Sequence, residues 1–243
     1  MNRVSLFVTL IFAGAGLFGC QGDTAPATEA PMARETPPPP VATSVERPVP
    51  RPGGGNFENL VADYESKDRV IWQKPGMVIS ILGDLEGKTV ADIGAGTGYF
   101  AFRLVPRAKK VIGVDIDPRF ISFMDSVKVR LPVQYQARFE TRLAKTDDPM
   151  LQAAEADVAI FVNTYAYIDK REQYLKTLAK GLNKGAQVLI IDFKKNSLPV
   201  GPSDNFKVAL SQVEHELTSA GFEIVKADNE ALDYQYIVLA SKK

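Results

Sequence analysis

The chain alternates between short, nearly unbroken apolar runs and longer stretches in which apolar residues recur every three or four positions. Val90 to Ile93, Lys110 to Val114, Asp157 to Val162 and Gln187 to Asp192 are of the first kind and read as strands buried on both faces, the pattern of a parallel sheet. Phe57 to Arg69, Pro75 to Leu82, Tyr99 to Val105, Asp117 to about Arg130, Asp169 to Leu182 and Ser203 to Ala220 read as helices. In the last of these Phe206, Leu210, Val213 and Leu217 share one face, which leaves His215 towards solvent. Val133 to Phe139 alternates like a strand, and Ala144 to Pro149 follows as a loop. Phe222 to Ala227 and Tyr234 to Ala240 are strands too close together for a crossover helix, and therefore antiparallel. The pattern predicts an α/β domain with a mostly parallel sheet and helices on both faces.

Within this frame Val90 to Phe100 stands out: an apolar strand carries Asp92 near its carboxyl end and breaks into Gly94-Ala95-Gly96-Thr97-Gly98 before a new helix. Such a turn brings bare backbone to a ligand, although tight strand-to-helix turns also need glycine on steric grounds alone. The more specific sign lies downstream, where the next strand closes on Asp115, 17 residues after Gly98. An acid there can take both hydroxyls of a ribose. The dinucleotide fingerprint would place its third glycine at position 99, which is Tyr here, and that departure counts against NAD.

On these residues the sequence resembles the class I S-adenosylmethionine-dependent methyltransferases, over roughly Glu58 to Lys243. The resemblance implies a single Rossmann-like domain with a seven-stranded sheet of order 3-2-1-4-5-7-6, the last strand antiparallel, and S-adenosylmethionine as cofactor. It implies that Asp92 reaches the methionine amino group and that Gly94, Ala95, Gly96, Thr97 and Gly98 face the methionine moiety. Asp115 would then hold the ribose and Ile116 lie against the adenine. Asp147, with Asp148 as its rival, would take the adenine amino group, unless Asp-Asp-Pro is only a helix start. Asn163-Thr164-Tyr165-Ala166-Tyr167 follows a central strand and should surround the transferred methyl, with Asn163 on the cofactor. Trp72, Tyr165, Tyr167 and Lys194 are expected at the acceptor pocket; Tyr165 is the one candidate to orient or deprotonate an acceptor, and a structural tyrosine otherwise. Trp72 has an equally plain use as a plug between helices and sheet. The string Trp72-Gln73-Lys74-Pro75 resembles a subset of bacterial methyltransferases in which histidines are expected near Ala166 and Tyr167.

Composition narrows the chemistry. Of 243 residues, 29 are Lys or Arg and 29 Asp or Glu, with zero net charge and no basic block, so nucleic acid has no electrostatic support as a partner. The single His, placed towards solvent, and the single Cys leave no thiolate mechanism and no metal-ligand cluster in the domain. That cysteine, Cys20, follows an apolar stretch too short to span a bilayer, and residues 1–19 resemble a bacterial lipoprotein signal peptide. Residues 20–55 would then be a lipidated cysteine and a disordered tether with nine prolines after it, and residues 56–243 the catalytic domain. Gln21 after the cysteine implies the outer membrane of a bacterial envelope, facing the periplasm. The expected function is methyl transfer to a small molecule or envelope component. The alternatives are a lipoprotein that keeps the fold as a non-catalytic binding module, and a nicotinamide oxidoreductase, against which Tyr99 stands.

Overall fold

The structure, a computed structural model, describes residues 56–243; the expected signal, Cys20 and the proline-rich tether lie outside the described residues. The chain opens with helix α1, Phe57–Tyr64, started by Asn56, whose side chain accepts the Glu58 and Asn59 amides at 2.8 and 3.4 Å. The helix expected to run to Arg69 stops at Tyr64, and a new short helix α2, Arg69–Gln73, begins there instead. Lys74 turns the chain in the left-handed conformation (φ 47°), and Pro75 opens α3, Pro75–Ser80, where its missing N–H has no helical partner to lose.

The sheet follows with β1 (Thr89–Ile93), β2 (Lys110–Asp115), β3 (Phe139–Leu143), β4 (Ala156–Val162), β5 (Leu182–Phe193), β6 (Phe222–Asp228) and β7 (Gln235–Lys242). Its order is β3-β2-β1-β4-β5-β7-β6, with β7 antiparallel to both neighbours and the other pairs parallel. This is the Rossmann-like topology that the resemblance implies. Successive side chains of each strand enter different cores. Ala91, Ile93, Phe161, Val188 and Ile190 join Leu175, Leu178, Val213 and Leu217 from α7 (Arg171–Gly181) and α8 (Leu210–Ser219). Val90, Val111, Val158, Ile160 and Leu189 pack on the other face with Val78 and Ile79 of α3, Leu104 of α4 (Ala101–Leu104) and Met124 of α5 (Pro118–Lys128). Both faces being covered, the strands read as continuous apolar runs.

Two expected elements differ. The stretch predicted as a strand from Val133 to Phe139 begins as a single helical turn, α6 (Val133–Gln136), and the strand starts only at Phe139. Pro132 leads into that turn, its carbonyl accepting the Tyr135 amide at 2.8 Å, and Val133 points to solvent rather than to a core. The true edge strand carries charge instead: Arg142 bridges Glu140 and Glu155, and Lys110 reaches the same two carboxylates. The helix predicted from Ser203 is likewise confined to Leu210–Ser219, after a 3-10 turn at Asp204–Phe206. Between them Lys207 is buried with its Nζ on the Asn196 carbonyl (2.7 Å) and Asp204 (2.9 Å), which holds the chain extended where a helix would otherwise run.

Candidate active site

In this topology β1 and β4 are neighbours whose chains leave in opposite directions, which makes the region beyond their carboxyl ends the switch point where open α/β sheets bind ligands. The glycine turn lines it. The amides of Gly94 and Ala95 both donate to the Val114 carbonyl of β2, at 2.8 and 2.9 Å, which folds the turn back over the sheet. Gly94 and Gly96 have φ of 70° and 56°, a region costly for any side chain. They are also tightly covered: a Cβ on Gly94 would stand 2.3 Å from Thr164, and one on Gly96 2.9 Å from the ring of Tyr64. The glycines thus make room for the loop after β4 and for the N-terminal helix. Thr97 is buried and its hydroxyl donates to Glu65 at 2.5 Å, while Gly98 packs against Phe102.

Two acids stand at the strand ends. Asp115 accepts the Gly96 amide on one oxygen (2.8 Å) and the Asp117 amide on the other (3.0 Å), so the carboxylate ties the turn to the start of α5. Burial raises its pKa, and these amides work against the rise. Asp92 is sealed between strand and turn, accepts the Ala101 amide at the start of α4, and is pushed up to about 7 by burial. Ile116 is half-buried just beyond Asp115. Asp147 is exposed; its neighbour Asp148 is half-buried and committed to its own turn, accepting the Met150 amide at 2.7 Å.

The far wall comes from β4. Asn163 adopts the left-handed conformation (φ 58°), which a non-glycine residue sustains only where its surroundings hold it. What holds it is a buried amide cluster: Oδ1 accepts from Gln73 (3.1 Å) and from Gln235, and Gln73 also donates to Gln235 at 3.0 Å. Arg69 in turn donates to Gln73 Oε1 at 2.9 Å. Spacing along the chain did not reveal this cluster or the approach of Tyr64 to Gly96. The one signal was the four-residue interval from Arg69 to Gln73, which puts both on one side of a helical turn.

The expected acceptor residues divide. Tyr167 is half-buried, its ring stacked on Phe206 at 6.2 Å, and its hydroxyl has no hydrogen-bond partner among the described residues. Trp72 lies against Phe193 with ring centroids 5.7 Å apart, and Lys194 Nζ is used by the Asp233 carbonyl at 3.1 Å. Of the two roles open to Tyr165, its surroundings favour the structural one. It is fully buried, it donates to Glu216 at 2.7 Å, and burial and that carboxylate raise its pKa far from working range. Arg171 and Gln212 complete the ties to Glu216, so this is a structural lock between the loop after β4 and α8. Tyr165→Phe is expected to lower stability by about 1–2 kcal/mol and to leave cofactor affinity unchanged, which thermal melting and titration calorimetry would check.

A family profile described as a methyltransferase domain matches residues 84–238, from the approach to β1 into β7. The chain belongs to this methyltransferase family. S-adenosylmethionine is the cofactor that the domain implies, and the residues fit it: two buried acids at the ends of β1 and β2 beside a turn whose three glycines have positive φ. Similar proteins include the tRNA U34 carboxymethyltransferases of Shewanella halifaxensis, 27% identical over 159 residues (64% of this chain, 47% of that protein), and Actinobacillus succinogenes, 25% identical over 158 residues (64% and 48%). The methyltransferase chain thus spans about half the length of these curated relatives. Among solved structures, a SAM-dependent methyltransferase from Aquifex aeolicus aligns with a TM-score of 0.71 at 20% identity, covering 78% of this chain and all of the other. One from Mesorhizobium loti gives 0.58 at 14% (69% and 96%), and the [4+2]-cyclase SpnF 0.60 at 15% (70% and 80%). At such identities these likenesses speak for the fold.

Proposed function

We propose that this protein transfers the methyl group of S-adenosylmethionine to a small-molecule or envelope acceptor, on the outside of a membrane to which Cys20 tethers it. The observation that carries the reading is Asp115, placed at the end of β2 with both oxygens on backbone amides of the site, one of them from the glycine turn. Bound there, the cofactor supplies an activated methyl on a sulfonium, and the leaving thioether is neutral. Methyl transfer of this kind rests chiefly on holding two reactants in line, and the chain is built for that. Asp115 would hold the ribose of the cofactor and Asp92 its methionine ammonium. Asn163, locked by Gln73 and Gln235, and Tyr167, with its free hydroxyl, stand at the end of β4 to orient the acceptor. The tRNA named for the relatives is not carried over, because 29 basic residues balanced by 29 acidic ones give a phosphate backbone no net attraction.

Calorimetric titration of the full chain with S-adenosylmethionine, and separately with NADH, tests the reading. Micromolar affinity for the first and none for the second is the expected outcome; the converse would reject it. A second reading, a cofactor-binding module without turnover, is favoured by the commitment of Tyr165 to Glu216. Transfer of a labelled methyl to any extracted envelope or small-molecule fraction would remove it.

A further inference from the structure

α2 buries a cation beside the glycine turn. Arg69 keeps only 8% of its surface exposed. Its Nε donates to Gln73 and its Nη1 to the Tyr64 carbonyl at 2.5 Å, and its guanidinium lies 4.0 Å from the centre of the Tyr99 ring, which directly follows Gly98. Arg103 stands 3.6 Å from the same ring, which adds a second positive charge. Among the described residues no carboxylate pairs with Arg69, and its Nη2 donates to none of their atoms. Burial lowers its pKa, and Glu65 and Asp92 act on it only from a distance.

A guanidinium taken out of water without a counter-charge is among the least favourable groups a fold can carry. Its two hydrogen bonds and the face of the Tyr99 ring hold it in place, and no carboxylate among the described residues pairs with it directly. A planar fork with a free edge is the geometry that takes a carboxylate. We propose that Arg69 is the carboxylate subsite for the methionine end of the cofactor, receiving the α-carboxylate while Asp92 takes the α-ammonium. This rests on the cofactor reading above. The zwitterion is then read by an acid on β1 and a base on α2, two elements brought together by the docking of the N-terminal helices. The same side chain anchors Gln73, so the subsite is mechanically joined to Asn163 and the acceptor side of the crevice.

The test uses two ligand pairs on the full chain: S-adenosylhomocysteine against 5′-methylthioadenosine, and S-adenosylmethionine against its decarboxylated form. The wild type should favour the carboxylate-bearing member of each pair by at least thirtyfold. Arg69→Met should weaken S-adenosylhomocysteine by a similar factor and leave methylthioadenosine unchanged, with Arg69→Lys between the two. Wild-type affinity blind to the carboxylate would overturn the subsite and leave the cofactor reading standing, as would an Arg69→Met variant that weakens both members alike. A wild type that binds none of the four overturns both. The wild-type comparison needs no variant, so a poorly folding Arg69→Met cannot shelter the proposal.

Discussion

Asp115→Ala is expected to weaken S-adenosylmethionine binding at least a hundredfold. Two ribose hydroxyls would each lose a charged acceptor, at about 1.5–3 kcal/mol apiece, which is two to four orders of magnitude in affinity. The structure adds a second loss, because the carboxylate also receives the Gly96 and Asp117 amides, and without it the turn is left with the Gly94 and Ala95 amides on the Val114 carbonyl to hold it to β2. Part of this is offset in the free protein, since a desolvated carboxylate is removed at the same time, and the melting temperature should fall by only a few degrees. Asp115→Asn keeps one acceptor and should fall between wild type and alanine. The ribose assignment has its own control: a 2′-deoxyribose analogue should bind the wild type more weakly than the parent ligand, and the alanine variant no more weakly. If Asp115→Ala still discriminates the two sugars, the ribose lies elsewhere.

The legible part of this protein is the part whose physics is local. β1, β2, β4 and β5 show in the sequence because residues such as Val90 and Ala91 enter opposite cores, so that each strand is apolar throughout. The acids and glycines show because strand ends and turns impose their own residue types. β3 is hidden in the sequence for the converse reason. As an edge strand it carries Glu140 and Arg142 in an ion-pair network with Glu155 and Lys110, while the exposed Val133 before it imitated an alternating strand. In the site, Asp92 and Asp115 were readable, and their partners were not. Gln73 and Gln235 meet across 162 positions of chain, and no local pattern encodes such a contact. The sequence pattern puts Arg69 at the end of a helix; the break at Glu65–Asp68 starts a new helix there, in which Arg69 is buried.

The fully buried acid on β1 makes the last prediction a conflict between stability and binding. In the folded protein Asp92 titrates at about 7, against an ordinary 3.8, because burial penalises its charge. The folded state therefore holds this proton to a higher pH than the unfolded chain does. Stability should then fall as pH rises from about 4 through about 7 and stay at its lowest above that. A shift of about three units corresponds to at most about 4 kcal/mol. Asp92→Asn abolishes the penalty and keeps an acceptor for the Ala101 amide. At pH 8 the variant should be more stable by about 2–4 kcal/mol, or roughly 5–15 °C in melting temperature, with the advantage vanishing near pH 4. Binding moves the other way. A ligand ammonium beside Asp92 favours the ionised form, so wild-type affinity for the cofactor should rise with pH through about 7, and the variant should lose both affinity and that dependence. Asp192 is the control. It is equally buried and raised to about 6, yet it accepts amides from Phe193, Ala166 and Tyr165, so Asp192→Asn would lose acceptor capacity and should gain little. An Asp92→Asn protein that is no more stable at pH 8 than the wild type would show that the buried carboxyl is already compensated. A more stable variant that binds as well would show that Asp92 does not touch the ligand. The combination of greater stability with lost affinity is what a binding acid held at energetic cost produces.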